Sequence, residues 1–133
     1  MAFEARLFNV PGTLVAGADL STSQYKIVKL SDENTINVCT STSDKPLGVL
    51  QNDPSSGEIA EVMAIGVTKI QVNSSLNAGD VIGTSTDAQA LNVDPTSTAN
   101  AAYTMGSMLK DVSAAGNIGT AFIDCINAPY SNI

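Results

Sequence analysis

Tyr25-Lys26-Ile27-Val28-Lys29-Leu30, Ser31-Asp32-Glu33-Asn34 and Thr35-Ile36-Asn37-Val38-Cys39-Thr40 decide the fold class. The outer two runs are short and strand-like, and Ile36 and Val38 share one face. The cluster between them is polar and turn-forming, so the three read together as a β-hairpin. The same grammar continues outward. Pro46-Leu47-Gly48-Val49-Leu50-Gln51 is a further strand-like run, ended by Asn52-Asp53-Pro54-Ser55-Ser56-Gly57, the strongest loop signal in the chain. Glu58 to Ile65 resumes a strand. After Gly66, Val67-Thr68-Lys69-Ile70-Gln71-Val72 alternates with period two. Thr68, Ile70 and Val72 face one way; Val67, Lys69 and Gln71 face the other. Gly66 reads as a bulge where one long strand bends. Val81 to Thr84, Thr104 to Leu109 and Ile118 to Ile126 are further candidate strands. Ala16-Gly17-Ala18-Asp19, Ala78-Gly79-Asp80 and Ala115-Gly116-Asn117 share a turn chemistry: Gly supplies positive φ, and Asp or Asn bonds its own backbone. Asp94 to Ala102 is low in complexity and reads as a surface loop, with a short helix as the lesser reading. No helix of ordinary length is predicted. About eight to ten short, closely spaced strands favour an all-β barrel or sandwich.

The chain has 133 residues, which suits one domain large enough to fold without metal or disulfide. Charged residues are only 14%, against about 25% in a typical soluble chain. Thirteen acids and six bases give a net charge of −7, which argues against nucleic acid and against an anionic membrane as partners. There is no apolar run of about 20 residues to span a bilayer. Met1 to Arg6 lacks the features of a secretion signal, so synthesis in a reducing cytoplasm is expected. Cys39 and Cys125 are then two small buried thiols, and a disulfide between them needs neighbouring strands. Asn73-Ser74-Ser75 matches a glycosylation sequon by chance in that setting.

His is absent, which removes the Ser-His-Asp and Cys-His arrangements. No nucleophile elbow or phosphate-binding loop is present, and Gly116-Asn117-Ile118-Gly119 is too short for a dinucleotide loop. Glu58 with Glu61, and Asp80 with Asp87, are carboxylate pairs better read as turn and solvated-strand acids. Asp32-Glu33-Asn34 and Asp44 lack calcium-loop spacing. The sequence thus predicts no enzyme, no cofactor and no metal.

The ends differ from the middle. Residues 1–12 form an arm with Phe3, Arg6, Leu7 and Phe8 and no clean strand of its own. Residues 13–126 form the single β domain, and 127–133 a tail with Tyr130 and Ile133. Phe3, Arg6, Leu7, Phe8, Tyr130 and Ile133 are the candidate contact residues. Such ends either dock on a neighbour or cover the openings of their own barrel. Tyr25, Tyr103 and Tyr130 form a sugar platform on one reading, and core or edge residues on the other. Lys26 and Lys29 make no basic patch.

Ala16-Gly17-Ala18-Asp19-Leu20-Ser21 and Gln24 to Leu30 resemble the opening of a family of small tailed-bacteriophage head proteins, the capsid decoration or cement proteins. Lys45 to Asn52 with Ser56-Gly57-Glu58 is similar to that family's middle, and Ala64 to Val72 with Ala78-Gly79-Asp80 to its next segment. The resemblance covers roughly residues 13–84 and rests on the order and spacing of weak motifs. It implies a β-barrel or β-tulip-like fold without catalysis. It also implies attachment to the major capsid protein on the outer surface of the icosahedral shell, as a homotrimer that reinforces the virion. The alternatives are a tail or fibre module recognising a host surface, and a non-viral accessory β module. A biotinyl domain fits poorly, because Lys45 precedes Pro46.

Overall fold

The computed structural model describes residues 2–10, 12–94, 102–126 and 128–131, and every regular element among them is a strand. In chain order these are β1 (Ala5–Asn9), β2 (Leu14–Ala16), β3 (Ile27–Asp32), β4 (Thr35–Val38), β5 (Gly48–Leu50), β6 (Ile59–Ala60) and β7 (Val62–Gln71), then β8 (Val81–Thr84), β9 (Ala90–Asn92), β10 (Ala102–Tyr103), β11 (Gly106–Met108), β12 (Ile118–Asp124) and β13 (Tyr130–Ser131). The predicted hairpin is β3–β4, with Val28 opposite Val38 and Leu30 opposite Ile36. Asn34 takes a left-handed φ of 53° in its turn, a conformation Asn tolerates. Asp32 Oδ1 accepts the Glu33 N–H there.

β7 is the spine. It passes through Gly66 at φ 141°, so the predicted bend lies within one strand. Met63 is paired with both Asn9 and Val49, and Gly66 with both Arg6 and Ile123. Two ladder partners of one residue stand on opposite edges. β5 and β12 therefore follow one another along one edge of β7, while β1 takes the other.

Two half-sheets depart from this spine: β6-β2-β4-β3-β5 and β12-β11-β8-β9. Each curls back toward it. β6 runs into β7 with only Glu61 between them, and Val72, just past β7, bridges Ala90 of β9. The end strands β6 and β9 are not paired with each other, so the sheet as a whole stays open. The all-β class matches the sequence reading. Within the all-β class, where barrel and sandwich were both expected, the sheet takes the form of two curled halves sharing one long strand. The β2–β4 pairing is parallel, which makes the sheet mixed.

The core divides into two apolar clusters, and the larger one draws on both halves, taking Ile27 of β3 and Val49 of β5. Leu14, Val28, Ile36, Leu50 and Val62 fill the first; Ile27, Met63, Ile70, Ile82, Met105 and Ile123 belong to the larger second. Most polar groups that enter the core are bonded; among the described residues, Asn9 Oδ1 and Gln51 Oε1 are buried without a hydrogen-bond partner. Thr68 is fully buried; its hydroxyl donates to Lys69 O and accepts from Gln51 Nε2. Lys29 Nζ meets Asp44 Oδ2 at 2.9 Å. Burial alone would raise Asp44, but that ammonium and the N–H groups of Thr40 and Ser41 outweigh it and hold the carboxyl below its ordinary value.

Several expectations need correction. Residues 5–9, read without a strand, form β1. The reason is a register broken twice within four pairs, which hides the alternation. In the tail, Tyr130–Ser131 pairs with β10, and Thr104 N–H bonds Pro129 O. Gly79 and Gly116 have positive φ as their turns require, but Gly17 does not. Gly17 is small because a Cβ there would lie 2.9 Å from Thr35 Cγ2. Of the loop read over Asp94 to Ala102, only the two ends lie within the described residues, and Ala102 opens β10.

Cys39 and Cys125 are free and buried in the second cluster. Burial pushes both thiols up to about 12, from an ordinary 9.0. The folded chain thus keeps thiol protons that the unfolded chain releases. Their contribution to stability is intact below pH about 9 and falls as pH rises from there toward about 12. At pH 8 the native chain is expected to resist a thiol reagent until denaturant is added. Fast labelling of the native chain would contradict this burial.

Candidate interaction face

The register of the ladders assembles one outward face. Ala5 lies opposite Val67, Val67 opposite Phe122, Phe122 opposite Ser107, and Ser107 opposite Val81. Directly opposed residues share a side of the sheet, so this row crosses β1, β7, β12, β11 and β8. A parallel row runs Phe8, Ile65, Asp124. Along β12, Ile118 and Phe122 alternate with the buried Gly119, Ala121 and Ile123. Leu109 donates its N–H to Thr120 O and belongs to the same side.

The N-terminal segment completes the face. Phe3 N–H bonds Thr120 Oγ1 at 3.2 Å, which explains why an outward threonine is only 1% exposed. Lys110 Nζ stands 5.7 Å from the Phe3 ring centroid, a cation–π distance. Beside it lies a shallow recess of about 300 Å³, lined by Ala2, Lys110, Asp111, Asn117 and Ile118 among others. Phe3, Phe8, Leu109, Ile118, Phe122 and Val81 are each between 38% and 44% exposed. Large apolar groups arranged in neighbouring rows mark an interaction surface rather than scattered exposure.

Charge is divided across the molecule. On and around the apolar face stand Lys69, Lys110, Asp111 and Asp124. Around β2 the arrangement is different. Val15 N–H bonds Asn34 O, Ala16 N–H bonds Glu58 O, and Leu20 N–H bonds Pro54 O. These bonds gather the turns bearing Asp19, Asp32, Glu33, Asp53 and Glu58, and no Lys or Arg occurs over 7–25, 30–44 or 46–68. One end is acidic; the apolar face is close to neutral.

The candidate residues fare unequally. Phe3 and Phe8 join the face, and Leu7, the bulged residue between Arg6 and Phe8, is 68% exposed. Arg6 stands opposite Gly66 and Tyr130 opposite Tyr103, in the separate β10–β13 ribbon. Ile133 lies outside the described residues. Tyr25 is held apart from that ribbon, its N–H on Leu50 O and Lys69 Nζ 5.6 Å from its ring centroid. Phe122, Ile118, Leu109 and Val81 were not singled out from sequence. For Ile118 and Phe122 the available signal is the strand 118–124, with large apolar groups on both sides. Among the described residues, no group of three or more His, Cys, Asp or Glu is placed to hold a metal.

β1 is fitted to its place by Gly66. A Cβ at that position would lie 2.7 Å from Ala5 O and 2.8 Å from Leu7 N. Gly66→Ala is therefore expected to lift β1 and to accelerate tryptic cleavage after Arg6 several-fold. An unchanged cleavage rate would show that β1 does not depend on this close approach.

No family model matches the chain, and no curated protein matches it. Among solved structures, it is similar to the N base of head fiber gp8.5 of bacteriophage phi29. The TM-score is 0.66 at 18% identity, over 89% of this chain and 96% of that one. At that identity the likeness is one of fold.

Proposed function

We propose that the chain is a structural protein of a tailed-phage head, a decoration or cement domain on the outer surface of the icosahedral shell. The observation that carries this reading is the end-to-end fold likeness to the phi29 head-fiber base. The apolar face supports it. A binding module without a catalytic constellation works through buried area, at about 25 cal/mol per Å² of apolar surface before the entropic cost of association. Repetition over a lattice then multiplies a modest contact. In this reading Phe3, Phe8, Ile118 and Phe122 dock on the major capsid protein, and sister copies meet as trimers. The acidic end points away from the shell. Arg6, Leu7, Tyr130 and Ile133 remain candidate contacts. The protein is made in the host cytoplasm and carried in the virion.

Heads prepared without the chain provide the test. Added chain should bind them to saturation and raise the temperature at which they release DNA. Heads that neither bind it nor gain stability would overturn the reading. A second reading, the base of a head fibre, is favoured by the same neighbour being a fibre base. It is separated from the first by imaging of the particles, which shows a projecting fibre above each copy on the second reading and none on the first.

A further inference from the structure

We infer that β1 is an exchangeable strap, and that the slot it fills on β7 accepts the β1 of a second copy of this chain. The slot is built for one strand. Along the β1 edge of β7, residues 63–67 are paired by β1. Beyond them the same side is closed, because Gln71 N–H bonds Tyr25 O and Val72 bridges Ala90. Gly66 has no room for a Cβ against Ala5 O and Leu7 N. The strand seated in this opening is this chain's own β1, and a second copy is the occupant that brings an identical segment.

The strap is held by a ladder with two register breaks, by the Val10 N–H to Val62 O and Phe3 N–H to Thr120 Oγ1 bonds, and by Lys110 Nζ over the Phe3 ring. Phe3, Leu7 and Phe8 leave between 41% and 68% of their surface uncovered by their own domain. Between strap and domain stands Gly12, at φ 89° with no atom within 4 Å of where a Cβ would be. After it, Leu14 is anchored in the first core. Rotation at Gly12 swings residues 2–10 outward without disturbing that core. Extended at about 3.3 Å per residue, they reach about 30 Å, the width of a small domain. Exchange of an identical element needs no new complementary surface, which makes it a low-cost route to linked copies.

The inference does not depend on the head reading, because it is tested on purified full-length chain in solution. A heavy-isotope Ala5→Cys chain is mixed at high concentration with a light Val67→Cys chain and oxidised. Exchange predicts a 5–67 disulfide joining heavy and light peptides, with a yield that rises with concentration. The control is one chain carrying both A5C and V67C, which closes the same disulfide internally when dilute. Native Cys39 and Cys125 are buried and do not compete. Sedimentation of the unmodified chain is the second measurement, free of disulfide geometry: residues 2–10 should be required for any self-association. The inference is overturned if heavy–light crosslinks are absent while the control closes. It is equally overturned if association is absent, or survives deletion of residues 2–10.

Discussion

Gly106→Ala is expected to cost about 4 kcal/mol or more, a large fraction of the roughly 5–15 kcal/mol that holds an ordinary domain folded. Gly106 has φ 152° and lies between two ladders, opposite Ile123 of β12 and Ile82 of β8. A Cβ there would stand 2.0 Å from Phe122 O and 2.9 Å from Ile123 Cα. Both are backbone atoms of a strand paired on each side, so neither can move without opening β12 from β7 or β11. Gly57→Ala is the matched control. It also has positive φ, 83°, but nothing within 4 Å of a Cβ. Only the backbone cost of about 1 kcal/mol applies there. Denaturant midpoints separate the two, and equal midpoints would mean that β11 and β12 are not packed as described.

The second large effect concerns the proposed docking face. Ile118→Asp combined with Phe122→Asp is expected to weaken attachment to heads at least a hundredfold, about 3 kcal/mol. Two apolar anchors become desolvated charges, while the inward Gly119, Ala121 and Ile123 are untouched. The domain should stay folded with a lowered thermal midpoint, since Ile118 and Phe122 are partly covered by their own sheet, and attachment is compared below that midpoint. Glu58→Gln at the acidic end should leave attachment unaltered. If the acidic variant loses binding and the double aspartate retains it, the polarity of the molecule has been assigned backwards.

Much of the fold was legible because the relevant patterns are local. The β3–β4 hairpin declares itself through Ser31 to Asn34, and β7 through Thr68, Ile70 and Val72. The remaining strands depend on distant partners. β1 follows an irregular register set by Gly66, more than fifty residues away in the sequence. β6, β10 and β13 are two residues each, too short for alternation to register. The forking of the sheet at β7 depends on which edge each strand chooses, and side-chain period carries no record of that. Half of the face was visible as aromatic residues near the N-terminus. The other half was concealed in β12, because Phe122 and Ile118 look like core residues until their outward side is known.

The most direct measurement is quantitative mass spectrometry of density-banded phage particles from the source lysate. A structural head protein must co-purify with the particles at a fixed ratio to the major shell protein, high enough to cover repeated positions of the lattice. A few copies per particle would reassign the chain to a tail or fibre. Absence from the particles would contradict a virion role altogether.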